Sequence, residues 1–91
     1  MLFRRQRKEV VSSLHLPEDV FLGEMLLYLT GSTSAVVENY RSILFFSDTM
    51  LKLKGKHSRL TVNGTSLTID YYDREQLKIT GLIRSVEFDS I

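Results

Sequence analysis

From Met25 onward, short runs of alternating apolar and polar residues are interrupted by turn-forming residues every six to ten positions. Runs this short leave no room for crossover helices, so sequence neighbours are expected to pair as antiparallel hairpins. The first runs cover residues 25–29, 35–38 and 42–46, separated by a turn over residues 30–34 and another at Asn39-Tyr40-Arg41. Leu51 and Leu53 then alternate with Lys52 and Lys54, and Leu60 and Val62 with Arg59 and Thr61, giving strands with one buried and one wet face. Asn63-Gly64 is the strongest local turn signal, because both central residues of a type I′ hairpin turn need positive φ. Leu67, Ile69 and Tyr71 continue the inward set, followed by a turn at Asp73-Arg74-Glu75.

The last strand changes phase. Leu77, Ile79, Gly81 and Ile83 share one parity, whereas Val86 and Phe88 share the other. A one-residue bulge near Arg84-Ser85 restores all the large apolar groups to one face. Two other strands are apolar on both faces: residues 25–29 and 43–46. Such strands need covering twice, which marks Met25, Leu27, Leu44 and Phe46, together with Phe88, as candidate interface residues. The alternative is a fully enclosed sandwich or barrel centre.

The expected fold is all-β: an antiparallel meander of seven or eight short strands, as a curved sheet, a β-roll or a small sandwich, with a short N-terminal α-helix. Residues 1–16 carry the helix, 17–24 are a connector, and 25–91 form the all-β part of one domain. In the first segment Phe3, Arg7, Val10, Val11 and Leu14 fall at helical spacing, and Pro17 stops the helix near His15. Phe3, Arg4, Arg5, Arg7 and Lys8 read as a weak contact for an anionic membrane surface. A helix docked on the sheet, or a frayed terminus, explains the same residues.

Composition narrows the function. The 91 residues make one domain, 43% hydrophobic and 25% charged, ordinary for a folded protein. A net charge of +1 gives little overall field for recruiting nucleic acid. With no cysteine there are no disulfides, thiolate metal sites or thiol nucleophiles. No apolar run is long enough to span a bilayer, and no signal-peptide core follows the basic N-terminus, so the chain is expected to stay in the compartment where it is made.

Catalytic chemistry finds no constellation. His15 and His57 have no acid at ligand spacing, and no cluster supplies the three or four ligands of a zinc site. Gly31, Gly55, Gly64 and Gly81 stand alone at turns, so no phosphate-cradling loop exists. The reading is a non-enzyme without cofactor or metal. Single-stranded nucleic acid is the alternative: Lys52, Lys54 and Arg59 form a basic face, with Tyr28, Tyr40, Tyr71 and Tyr72 available for stacking. Yet no aromatic alternates with the lysines in their own strand, and lysines on a solvated edge that discourage strand addition account for the pattern equally.

Several signatures then occur in order: Leu16-Pro17-Glu18-Asp19-Val20, Gly31, Val37-Glu38-Asn39-Tyr40, Ile43, Asn63-Gly64 with Leu67 and Ile69, Ile79-Thr80-Gly81-Leu82-Ile83 and Ser85-Val86-Glu87-Phe88. Over about residues 10–89 the chain resembles the YabP/YqfC family of sporulation proteins, closer to the YqfC branch. It departs at Tyr40, where a histidine is expected, and at Arg41-Ser42, where a glycine-containing turn is usual. The resemblance implies an endospore-forming bacterium, expression in the mother-cell compartment and a part in building the spore beside a membrane-bound partner. It transfers no catalytic residue. The combined expectation is a non-enzymatic sporulation protein acting by assembly, as a homo-oligomer or with a sporulation partner protein, peripheral to a membrane through its basic N-terminus.

Overall fold

A computed structural model describes residues 23–90. It contains six strands: β1 (Leu26–Thr30), β2 (Ser34–Glu38), β3 (Ser42–Phe46), β4 (Met50–Lys54), β5 (Ser58–Tyr72) and β6 (Gln76–Ser90). All pair antiparallel in one sheet of order β1-β2-β6-β5-β4-β3. β3 to β6 form the expected meander. The β1–β2 hairpin joins it through β2 and β6, a pairing between elements distant in sequence.

The expectation of seven or eight short strands is corrected to six, because β5 and β6 each run for fifteen residues. Asn63-Gly64 is not a hairpin turn. Positive φ occurs instead at Gly31, Asn39, Ser66 and Gly81, and Gly64 donates its backbone N–H to Thr49 O at 2.9 Å as the strand continues. With β6 on one side and the β4 hairpin on the other, the extended chain gains more hydrogen bonds than a turn would supply.

Three register shifts bend this long hairpin. Ser66 and Leu67 together oppose Gly81; Arg84 is the extra residue between Ile83 and Ser85; and Asp70 is the extra residue between Ile69 and Tyr71. The Arg84 shift is the bulge expected from the phase change. The Asp70 shift turns Tyr71 outward, opposite Lys78, against the inward expectation. Bulges bend and twist a strand locally, so the sheet folds over at this line.

On one side of the bend, residues 76–80 of β6 carry β2 and then β1; on the other, residues 59–63 of β5 carry β4 and then β3. The hairpin tips plug the bend itself: Ser32 O and Thr33 O accept from Ile83 N and Gly81 N, and Asp48 O accepts from Leu67 N. The chain crosses between halves at Asn39-Tyr40-Arg41, where Asn39 N bonds Glu75 O at 3.0 Å and Arg41 N bonds Lys54 O at 2.7 Å.

One core fills the space between the halves. Ala35, Val37, Leu77 and Ile79 come from the first and Leu51, Leu53, Leu60 and Val62 from the second, all with no exposed surface. Met25, Tyr40, Leu67 and Ile83 complete it. The expected N-terminal helix at residues 1–16 and all of the connector at residues 17–24 except Gly23 and Glu24 lie outside the described residues.

Candidate functional site

Directly opposed residues in an antiparallel ladder share a face, so the register assigns every side chain to the core or to solvent. In the half-sheet β3-β4-β5-β6 two rows point inward: Ile43–Leu53–Leu60–Phe88 and Phe46–Leu51–Val62–Val86. Two point outward: Phe45–Lys52–Thr61–Glu87 and Ser42–Lys54–Arg59–Asp89. The inner rows are dry in the middle and open at both ends.

At one end stands β3. Leu44 is an extra residue between Ile43 and Phe45, so it opposes nothing on β4. Leu44, Phe45 and Phe46 are 47%, 49% and 39% exposed in succession, and β3 contains no charged residue. At the other end lies the second half of β6. Beyond Ile83 its outer edge has no strand partner among the described residues, and Phe88, on the inner face, is 53% exposed. Leu44, Phe46 and Phe88 are therefore at open surface.

Met25 and Leu27 are placed differently. Met25 is buried, its side chain filling the space above Gly55, and Leu27 packs on the core opposite Val37. Of the apolar run at residues 25–29, Met25 is buried against the second half of the sheet, Leu26, Leu27 and Tyr28 are half-buried, and Leu29 is exposed. Phe45 was not singled out from the sequence, because strict alternation pairs Leu44 with Phe46; the Leu44 bulge moves Phe46 to the inner face and Phe45 to the outer. Phe3, Arg4, Arg5, Arg7 and Lys8 lie outside the described residues.

The basic face is real but offset. Lys52, Lys54 and Arg59 do point outward, and acids complete their rows: Asp89 directly opposes Arg59, and Glu87 lies two strands from Lys52. Glu87 also accepts from Asn63 Nδ2 at 3.2 Å, and Asn63 Nδ2 reaches Ser85 Oγ at 3.1 Å. The exposed tyrosines, Tyr71 and Tyr72, are on the other half of the sheet, Tyr40 is buried, and Tyr28 donates to Glu38. Stacking surface and basic groove do not coincide, so the arrangement gives a nucleic-acid reading no support.

A shallow open groove runs where β2 crosses to β3, lined by Tyr40, Arg41, Ile43, Tyr72, Asp73 and Arg74. The Tyr40 hydroxyl donates to the Asp73 carbonyl. Burial, then the Asp73 carboxylate and Tyr72, hold this phenol above the usual tyrosine range. The Asp73 Oδ1 accepts from Gln76 N at 2.9 Å and Glu75 N at 2.8 Å, and these amides hold its carboxyl below the usual range. Both groups are thus committed to the β5–β6 turn. His57 Nε2 lies 3.8 Å from Glu24 Oε2 at the surface, and no group of three or more potential metal ligands gathers among the described residues. No helix of the described residues is long and apolar enough to cross a membrane.

No solved structure matches this chain. Among curated proteins it is similar to an uncharacterized protein, YqfC, of Bacillus subtilis (strain 168), with 24% identity over 84 residues, spanning 92% of this chain and 90% of the relative. The family model described as YabP family matches residues 23–90, which is the whole of the bent sheet from the turn before β1 to the end of β6. The chain belongs to the YabP family.

Proposed function

We propose that this protein is a non-enzymatic sporulation protein that works by protein–protein assembly, in the mother-cell compartment and peripheral to a membrane. The observation that carries the assembly reading is β3: three successive apolar side chains, each at least 39% exposed, on an edge strand without a charge. Edge strands in soluble proteins are ordinarily guarded by charged residues, and an unguarded apolar one marks a contact surface. Burying the exposed parts of three such side chains contributes on the order of 2–4 kcal/mol before the cost of association. That suits a weak, concentration-dependent contact that becomes effective when several copies or partners gather. The sporulation setting rests on family membership, and the membrane contact on the clustered basic residues at the N-terminus.

The test is the solution mass of the purified chain over a concentration series, by light scattering after size exclusion, beside the variant Leu44→Ser/Phe45→Ser. Mass rising with concentration in the parent and staying at the monomer in the variant is the expected result. Equal masses for the two, with equal capture of partner proteins from sporulating cells, would remove the reading.

A further inference from the structure

We infer that β3 of one copy docks antiparallel against the next copy's β6 edge at residues 85–90, which has no strand partner among the described residues, in a heterologous head-to-tail contact that repeats. It rests on the assembly reading and names the partner, a second copy, and the second surface.

The two edges belong to the same half-sheet and are its two ends. Because β3, β4, β5 and β6 alternate in direction, β6 runs opposite to β3. A neighbouring copy displaced across the strands, with its inner face kept inward, therefore presents β3 to β6 in the antiparallel sense. The row register then dictates the pairing. Phe88 comes beside Ile43 and Val86 beside Phe46, continuing both inner rows into the neighbour. Glu87 comes beside Phe45 and Asp89 beside Ser42, with Arg41 one residue further on. The half-buried and exposed apolar groups at the open ends of the dry rows cover one another, and Asp89, already opposite Arg59 in its own copy, has a second cation within reach.

Symmetric pairing of β6 with itself is opposed by its own charges. The antiparallel β6–β6 registers centred on Glu87 or on Phe88 set Glu87 against Glu87 or against Asp89 on the outer face, and like charges directly opposed destabilise a ladder. β3 carries no acid and meets no such penalty. The acidic edge thus disfavours those pairings with a copy of itself and accepts the neutral one, which is how specificity is obtained by repulsion as much as by attraction. A heterologous contact of this kind does not close on itself, and the usual strand-to-strand twist of about 20–25° turns the series into a helical filament.

The experiment uses two full-length variants, Phe45→Glu at the β3 edge and Phe88→Asp at the β6 edge. Both positions are about half exposed, and thermal melts check that each variant folds; a variant whose melt drops is replaced by Phe45→Ser or Phe88→Ser. The parent is expected to pass through dimer, trimer and higher species as concentration rises, and each variant alone to associate at least tenfold more weakly. Mixed one to one, the variants are expected to form a dimer and stop there, since the intact β6 edge of one meets the intact β3 edge of the other. If Phe88→Asp alone associates like the parent, or the mixture stays monomeric while the parent assembles, the head-to-tail contact is wrong and assembly itself stands. A parent that is monomeric at every concentration overturns both.

Discussion

A Cβ built on Gly81 would lie 2.6 Å from the Ser66 carbonyl oxygen, across the bulge where the sheet folds over. Gly81 has φ +137° there, and Ser66 itself is left-handed at φ +54°. The bend is made by bringing two backbones closer than any side chain allows.

Gly81→Ala should therefore destabilise the protein by about 2–4 kcal/mol, from the disallowed φ and the clash together. Gly64→Ala, whose Cβ would run into the Leu82 carbonyl oxygen, should destabilise through the clash alone. Urea unfolding followed by circular dichroism measures both; a midpoint within error of the parent would show that the bend tolerates a side chain.

The Arg84 bulge sets which face Val86 and Phe88 occupy. Inserting one alanine between Ser85 and Val86 shifts residues 86–90 by one position against β5 and sends both apolar side chains to the outer face. A loss of about 1–3 kcal/mol is expected, with weakened protection of amides in residues 85–90 in hydrogen exchange. Unchanged protection would mean that the bulge widens to absorb the added residue.

Core and rim leucines should separate cleanly. Leu77 has no exposed surface, so Leu77→Ala should cost about 2–5 kcal/mol. Leu29 is 50% exposed on edge strand β1, and Leu29→Ala should cost about 1 kcal/mol or less. Equal losses in thermal denaturation would mean that β1 is covered in solution.

The Tyr40–Asp73 contact gives the turn a pH signature at both ends of the scale. The folded-state pKa of Tyr40 is raised, so its contribution is fully present below the unfolded tyrosine value near 10 and is lost as pH climbs through the folded value. The Asp73 carboxyl is lowered, so its contribution is present above the unfolded aspartate value near 4 and is lost as pH falls through the folded value. Tyr40→Phe should cost about 1 kcal/mol near neutrality and flatten the alkaline limb of the stability curve. Asp73→Ala should flatten the acid limb. Melting temperatures from pH 2 to 11 read both, and parallel curves for parent and variants would contradict the assignment.

Alternation along the chain by itself determined that the protein is all-β, that Leu51, Leu53, Leu60, Val62, Leu77 and Ile79 face inward, and that the last strand needs an extra residue at Arg84. Each follows from the two-residue period of a strand, a property of neighbouring residues. Tertiary structure alone decided the rest. Asn63-Gly64 has the composition of a hairpin turn, yet β4 and β6 flank it and hold it extended. Two strands looked equally in need of a cover, but the fold buries Met25 and leaves Leu44, Phe45 and Phe46 at an edge. Neither outcome is written in local pattern, because which strand becomes central depends on the β2–β6 pairing, whose residues stand some forty positions apart. The bulge at Leu44 is hidden for the same reason: a run apolar at every position has no phase to slip, and only the register against Lys52 and Leu53 reveals it.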